Sequence, residues 1–288
     1  MAVRRLKTSP ASSGPRPTSS SLTNSCARFG HVRKRRQMKM KAILFDATWC
    51  VGCGACVEAC AEENGLPAEA SPGLHADRYT SLEEHDDTYL RRLCMHCLHP
   101  SCVSACPVGA LQKTEAGPVT YDFDRCIGCR YCMVACPFSI PRYEWSSLTP
   151  RVRKCEMCSA RVAEGKPTAC AEICPTEATM FGERDEMIAL AKQRIAENPD
   201  DYSQHIYGLE EAGGTCVLVI GSQELIDTAF DPRVPDEALP EKTWVVLSRI
   251  PTAVGVAGVG LVGLNWIIRR RMALMNDTES SNNGGGGR

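Results

Sequence analysis

Sixteen of the chain's 18 cysteines fall into four groups of four, each opening with a Cys-x2-Cys pair and closing with a Cys-x3-Cys pair. Group one is Cys50, Cys53, Cys56 and Cys60, and group two is Cys94, Cys97, Cys102 and Cys106. Group three is Cys126, Cys129, Cys132 and Cys136, and group four is Cys155, Cys158, Cys170 and Cys174. Thiols at this density cross-link a small secreted fold, hold zinc, or ligate iron in iron–sulfur clusters. Disulfide scaffolds are mostly short, and 288 residues is several times too long for one. Zinc sites use Cys-x2-Cys pairs but have no reason to repeat the Cys-x3-Cys ending. Proline follows the last cysteine in three groups, at Pro107, Pro137 and Pro175, and suits a chain that must turn there. The repeat therefore points to all sixteen cysteines as iron ligands of four 4Fe-4S clusters. A structural protein stapled by zinc or disulfides is the competing class.

Cluster geometry accounts for the spacing. A tight loop can present three sulfurs to three corners of a cube, while the fourth corner faces away from that loop. Groups one (Cys50-x2-Cys53-x2-Cys56-x3-Cys60) and three (Cys126-x2-Cys129-x2-Cys132-x3-Cys136) match the bacterial ferredoxin run, whose fourth cysteine ligates another cluster. Groups two and four insert residues before the third ligand, as Cys97-x4-Cys102 and Cys158-x11-Cys170. Such insertions lengthen a surface loop without moving its ends. The spacing thus predicts exchange of fourth ligands and leaves the pairing open. Cys26 lies in a polar leader, and Cys216, in an apolar strand, reads as a small buried hydrophobe. His96 and His99 fall inside group two, where four sulfurs already suffice, so both read as supporting or surface residues.

The elements that hold these loops are short. Lys41–Asp46, Val119–Phe123, Ala178–Gly182 and Cys216–Gly221 read as strands. Glu186–Glu197 reads as a helix with Met187, Ile188, Ala191 and Ile195 on one face, ended by Asn198-Pro199. Only 6% of residues are aromatic, and cysteine inflates the hydrophobic fraction of 43%. An ordinary core would be thin, so something other than side chains should fill part of it. A net charge of −1 gives no reason to expect nucleic acid as a partner.

Five segments are expected. Residues 1–37, rich in Ser, Pro and Arg, read as a disordered leader. Arg4-Arg5 raises a twin-arginine export signal, but Lys7 to Asn24 is polar throughout and lacks the apolar stretch such a signal needs. Met38 or Met40 would make a plausible start. Residues 38–221 form the cluster domain, 222–243 an extended tether, 244–271 a transmembrane helix and 272–288 a disordered tail. Ile250–Ile268 gives 19 uncharged residues, enough for one span. Trp244 and Trp266 near its ends suit membrane interfaces, and Arg269-Arg270-Arg271 predicts a cytoplasmic C-terminus. The cluster domain then faces the periplasm of a bacterial inner membrane. A cytoplasmic domain feeding a soluble reductase is the alternative topology. Small residues from Ala253 to Gly263 would let another helix approach closely. Neither His nor Met occurs between Ile250 and Ile268, so haem ligands there are not expected from this chain.

The pieces "CMHCLHPSCVSACPVGAL", "CIGCRYCMVACPFSIPRY", "KCEMC" and "YGLEEAGGTCVLVIG" resemble the four-cluster ferredoxin-like subunits of bacterial membrane oxidoreductases. With the C-terminal span, they look most like the iron–sulfur subunit of the quinone-reducing periplasmic nickel–iron hydrogenase. The β subunit of nitrate-inducible formate dehydrogenase is nearly as similar. The resemblance implies an α+β fold: two pseudo-symmetric ferredoxin-like lobes with four 4Fe-4S clusters, plus one C-terminal transmembrane helix. It also implies the pairing. Cys50, Cys53 and Cys56 would share a cluster with Cys174, and Cys155, Cys158 and Cys170 with Cys60. Cys94, Cys97 and Cys102 would join Cys136, and Cys126, Cys129 and Cys132 would join Cys106. The expected role is non-catalytic electron transfer. One partner would be a catalytic subunit, a nickel–iron hydrogenase or a molybdopterin formate dehydrogenase, and the other an integral membrane quinone-reactive subunit.

Overall fold

The chain folds around a buried strand whose residues are apolar on both faces. In the computed structural model, which describes residues 39–67 and 72–283, β1 (Lys41–Asp46) is central to a three-stranded sheet of order β8-β1-β9. The expected leader, with Cys26, lies outside the described residues, as do residues 284–288. β8 (Thr179–Glu183) runs antiparallel to β1 with Ile43 opposite Phe181, and β9 (Val217–Ile220) runs parallel with Ile43 opposite Val217. β8 and β9 cover both edges of β1 and its faces pack into the larger core, so Ala42, Ile43, Leu44 and Phe45 are all buried.

Between β1 and β8 the chain alternates short helices and hairpins. α1 is Ala55–Glu63, and the hairpin β2 (Ser81–His85) with β3 (Thr88–Arg92) follows. Then come α2 (Ser101–Ser104), the ladder of β4 (Leu111–Lys113) with β5 (Val119–Tyr121), and α3 (Tyr131–Ala135). β6 (Arg142–Tyr143) pairs with β7 (Val152–Arg153), and α4 (Ser159–Ala163) and α5 (Ala169–Glu172) precede β8. α1 packs on α5, and α2 on α3. The larger core joins β1 and β9 to cysteines of groups one, two and four. A smaller one gathers Cys102, Leu111, Val119, Cys132 and Val152.

α6 (Arg184–Glu197) lays Met187, Ala191 and Ile195 against the sheet. Its Arg194 reaches Asp46 at the end of β1, with Nη1 at 2.7 Å from Oδ2. Tyr202 donates to the same oxygen at 2.9 Å, and the guanidinium stacks on Trp49 at 3.8 Å. This buried pair pins the strand end from which the first cysteine loop departs.

Residues 222–243 are not an extended tether. Ser222 accepts the Leu225 N–H and starts α7 (Gln223–Ala229), which buries Leu225, Ile226 and Ala229 in the larger core. α8 (Leu239–Leu247) packs on α2, and α9 (Ile250–Asn283) follows. The apolar run expected as one helix from Trp244 breaks at Ser248-Arg249 because Pro251 cannot donate to the preceding turn. Beyond Arg271 the expected tail stays helical to Asn283, since Met272-Ala-Leu-Met275 are strong helix formers. The run Leu239–Met275 is long and apolar enough to cross a membrane. Its Val254, Leu261 and Ile267 are all exposed.

Candidate metal centre

Each cysteine loop has a left-handed residue just before its second cysteine. Gly52 has φ 71°, His96 49°, Gly128 69° and Met157 53°. This turn aims the residue's N–H back at the first sulfur: Gly128 donates to Cys126 Sγ at 3.4 Å and Met157 to Cys155 Sγ at 3.3 Å. Gly52 does the same for Cys50, against the upward push of burial on that thiol. Glycine takes this conformation without steric cost. His96 and Met157, both fully buried, take it at about 1–2 kcal/mol each, offset by their packing.

The closing cysteines are also wrapped by N–H donors. Ala110 N donates to Cys106 Sγ at 3.2 Å and Thr179 N to Cys174 Sγ at 3.4 Å. Burial pushes these two thiols up, but the donors outweigh it and hold both below the ordinary thiol value. At Cys136, burial wins over the N–H groups of Ile140, Phe138 and Ser139.

Sulfurs converge across groups. The charge of Cys174 and Cys53 bears on Cys50, and that of Cys50 and Cys174 on Cys56. Cys60 faces Cys170 and Cys158, and Cys155 faces Cys60 and Cys170. Cys97 and Cys102 both face Cys94 and Cys136, while Cys132 faces Cys126, Cys106 and Cys129. Every trio therefore meets the closing cysteine of another group. Electrostatic neighbours link these sets in series: Cys56 with Cys170, Cys155 with Cys94, and Cys102 with Cys132. Burial pushes Cys60 and Cys102 up to about 12 and Cys132 up to about 11. A thiol so buried loses its proton readily only to a metal.

Cations are threaded between the sets. Arg91 on β3 is buried, donating from Nε to Thr80 Oγ1 at 3.0 Å and from Nη1 to Thr179 Oγ1 at 3.4 Å. Lys154 is buried too, its Nζ bonded to the carbonyls of Val119 and, at 3.0 Å, Cys155. Lys113 Nζ reaches the His96 carbonyl at 2.9 Å and Cys216 Sγ at 3.3 Å. Cys216 is fully buried beside β9 and belongs to none of the converging sets. His96 is not a surface residue: it is fully buried, and its Nδ1 accepts the Val119 N–H at 2.9 Å. Burial, Lys154 and Lys113 hold it neutral, well below the ordinary histidine value. His99 stays half exposed, 3.6 Å from Glu241 on α8.

These sets suit a cubane. Among the described residues, no three Cys, His, Asp or Glu side chains come close enough to share one metal ion. A cubane spreads its thiolates over four separate iron corners, so wider sulfur sets fit it. Among the described residues the buried side-chain groups without a hydrogen-bond partner include His96 Nε2 and the Tyr121 hydroxyl, and Tyr121 lies beside Cys126. Spare donors beside thiolates suit a sulfur-rich anion.

Residues 85–184 match the 4Fe-4S dicluster domain family, and residues 50–64 match the 4Fe-4S binding domain family. Hydrogenase-2 operon protein HybA of Escherichia coli O157:H7 is 37% identical over 226 residues, 62% of this chain and 69% of the relative. The iron-sulfur subunit of nitrate-inducible formate dehydrogenase from Escherichia coli K12 is 36% identical over 220 residues, 69% of this chain and 74% of the relative. A protein of Nitratidesulfovibrio vulgaris Hildenborough is 38% identical over 247 residues, 80% of this chain and 67% of the relative. This chain belongs to the ferredoxin-like iron–sulfur subunits of bacterial membrane oxidoreductases. Like other ferredoxin-like subunits it takes 4Fe-4S clusters as cofactors. Sequence reasoning missed the cations of this subunit, although Arg91-Arg92 and Lys154 stand within three residues of Cys94 and Cys155. Charges so close to ligand cysteines were the available signal.

Proposed function

We propose that this chain carries electrons between a catalytic oxidoreductase subunit and a quinone-reactive membrane subunit, using four 4Fe-4S clusters held by its sixteen grouped cysteines. The convergence of each cysteine trio on the closing cysteine of another group carries this reading. The sets are Cys50, Cys53, Cys56 with Cys174; Cys155, Cys158, Cys170 with Cys60; Cys94, Cys97, Cys102 with Cys136; and Cys126, Cys129, Cys132 with Cys106. When bound, such clusters supply one-electron redox chemistry. The chain's own residues fix the spacing of the sets, exclude water through the two cores, and donate N–H groups to sulfur. No side chain is needed as acid, base or nucleophile. The serial neighbourhood of the sets supports a path between the Cys50 set and the Cys126 set.

In this reading residues 38–221 form the cluster domain in two ferredoxin-like lobes, 222–243 connect it, and 244–271 span the inner membrane. The arginines Arg269, Arg270 and Arg271 favour a cytoplasmic C-terminus, which puts the cluster domain in the periplasm. The catalytic partner is of hydrogenase type, supported by the likeness to HybA. The likeness to a formate dehydrogenase subunit over 74% of its length supports the second reading, a formate dehydrogenase partner.

Iron and acid-labile sulfide analysis of anaerobically purified protein tests the cofactor. Four cubanes require about sixteen iron atoms per chain, and zinc without sulfide would refute them. Protease protection of the cluster domain in spheroplasts would refute the topology. The large subunit that co-purifies from the native membrane separates the two partner readings.

A further inference from the structure

Among the described residues, no carboxylate pairs with the buried Arg91. The residue is 3% exposed, its hydrogen bonds go to the Thr80 and Thr179 hydroxyls, and Cys170 lies beside it. An unpaired cation at such depth is costly in a protein interior, so an anion should stand beside it. The anions in reach are sulfurs of two sets. Arg91 acts on Cys50 and Cys56 of one set, and on Cys60, Cys155 and Cys170 of the next. The buried Lys154 acts on Cys102 and stands against a different set.

We infer that Arg91 is the shared counter-ion of the Cys50 and Cys155 cluster sites and raises the reduction potential of both. This rests on the cluster reading above. The warrant is charge arithmetic: a thiolate-ligated cubane is anionic, and each electron gained adds one more negative charge beside a fixed positive one. Low effective dielectric around the guanidinium makes the attraction larger than at a surface. Thr80 and Thr179 are positioning residues, because their neutral oxygens hold the fork in place without cancelling its charge.

The test is an EPR-monitored redox titration of the anaerobically purified full chain, comparing wild type with Arg91→Met and Arg91→Lys. Wild type must first contain its four clusters; if it does not, the cluster reading fails rather than this inference. In Arg91→Met two of the four signals should move negative. At a fixed potential the reduced-to-oxidised ratio of those two should fall about tenfold, about 59 mV for a one-electron couple. The other two should stay in place, and Arg91→Lys should restore at least half of the shift. Unmoved potentials in a fully loaded Arg91→Met protein, or an equal shift of all four, would overturn the proposal. If Arg91→Met loses iron, Arg91→Lys decides. Full loading with near-native potentials supports the charge role, and loss of the same clusters overturns it.

Discussion

A single backbone conformation recurs at the residue scale. Gly52, His96, Gly128 and Met157 occupy the same position in four loops and share a positive φ. The cysteines were legible from their spacing alone. The left-handed turn was not, because only two of its four occupants are glycine. Gly52 is the most constrained, since a Cβ there would strike the Tyr89 ring. Gly52→Ala should destabilise the protein by about 1–3 kcal/mol and lower iron content at the Cys50 set, measurable by thermal unfolding and iron assay. Full iron with unchanged melting would contradict that. Asp46 makes a second residue-scale case. Asp46→Asn breaks a fully buried pair with Arg194 and should cost about 3–5 kcal/mol. Denaturant unfolding of the loaded protein reads it, and a loss under about 1 kcal/mol would mean that water reaches the pair.

Among the elements, legibility followed length and purity of pattern. β1 reads as an uninterrupted apolar run and lies where expected, and α6 starts two residues before the expected Glu186. The hairpin of β2 and β3 was hidden because Glu83, Glu84 and His85 interrupt any alternation. β6 and β7 pair only two residues each, too short for periodicity to register. α7 was obscured by the acidic and proline residues that follow it, which coloured the whole stretch as a tether. Its cap offers a clean check: Ser222→Ala should cost about 1 kcal/mol, seen as faster proteolysis or exchange over 223–229. Unchanged protection would mean that burial of Leu225 and Ile226 alone holds the helix.

At the scale of the whole molecule, two properties were read from different signals. The apolar C-terminal run was legible by length, and truncation before Trp244 should move the chain from the membrane to the soluble fraction while retaining its iron. Retention on carbonate-washed membranes would show that partners alone anchor it. The mixed character of the interior was legible only in outline, as a core too thin for its length. Cysteines from all four groups are wall residues of the two cores. Stripping the iron under oxidising conditions with a chelator should therefore abolish the cooperative unfolding transition, and a preserved transition would show that side chains suffice. The cations stood in the sequence beside ligand cysteines, but their burial was beyond reach, since that of Arg91 depends on strands far apart in sequence.

The parallel pairing of β1 with β9 has a consequence for manufacture. Residue 43 lies beside residue 217, so the central sheet stays incomplete until every cysteine has been synthesised. Closing contacts over that span is slow. β9 then acts as a late latch, seating only after the last cysteine group has been made.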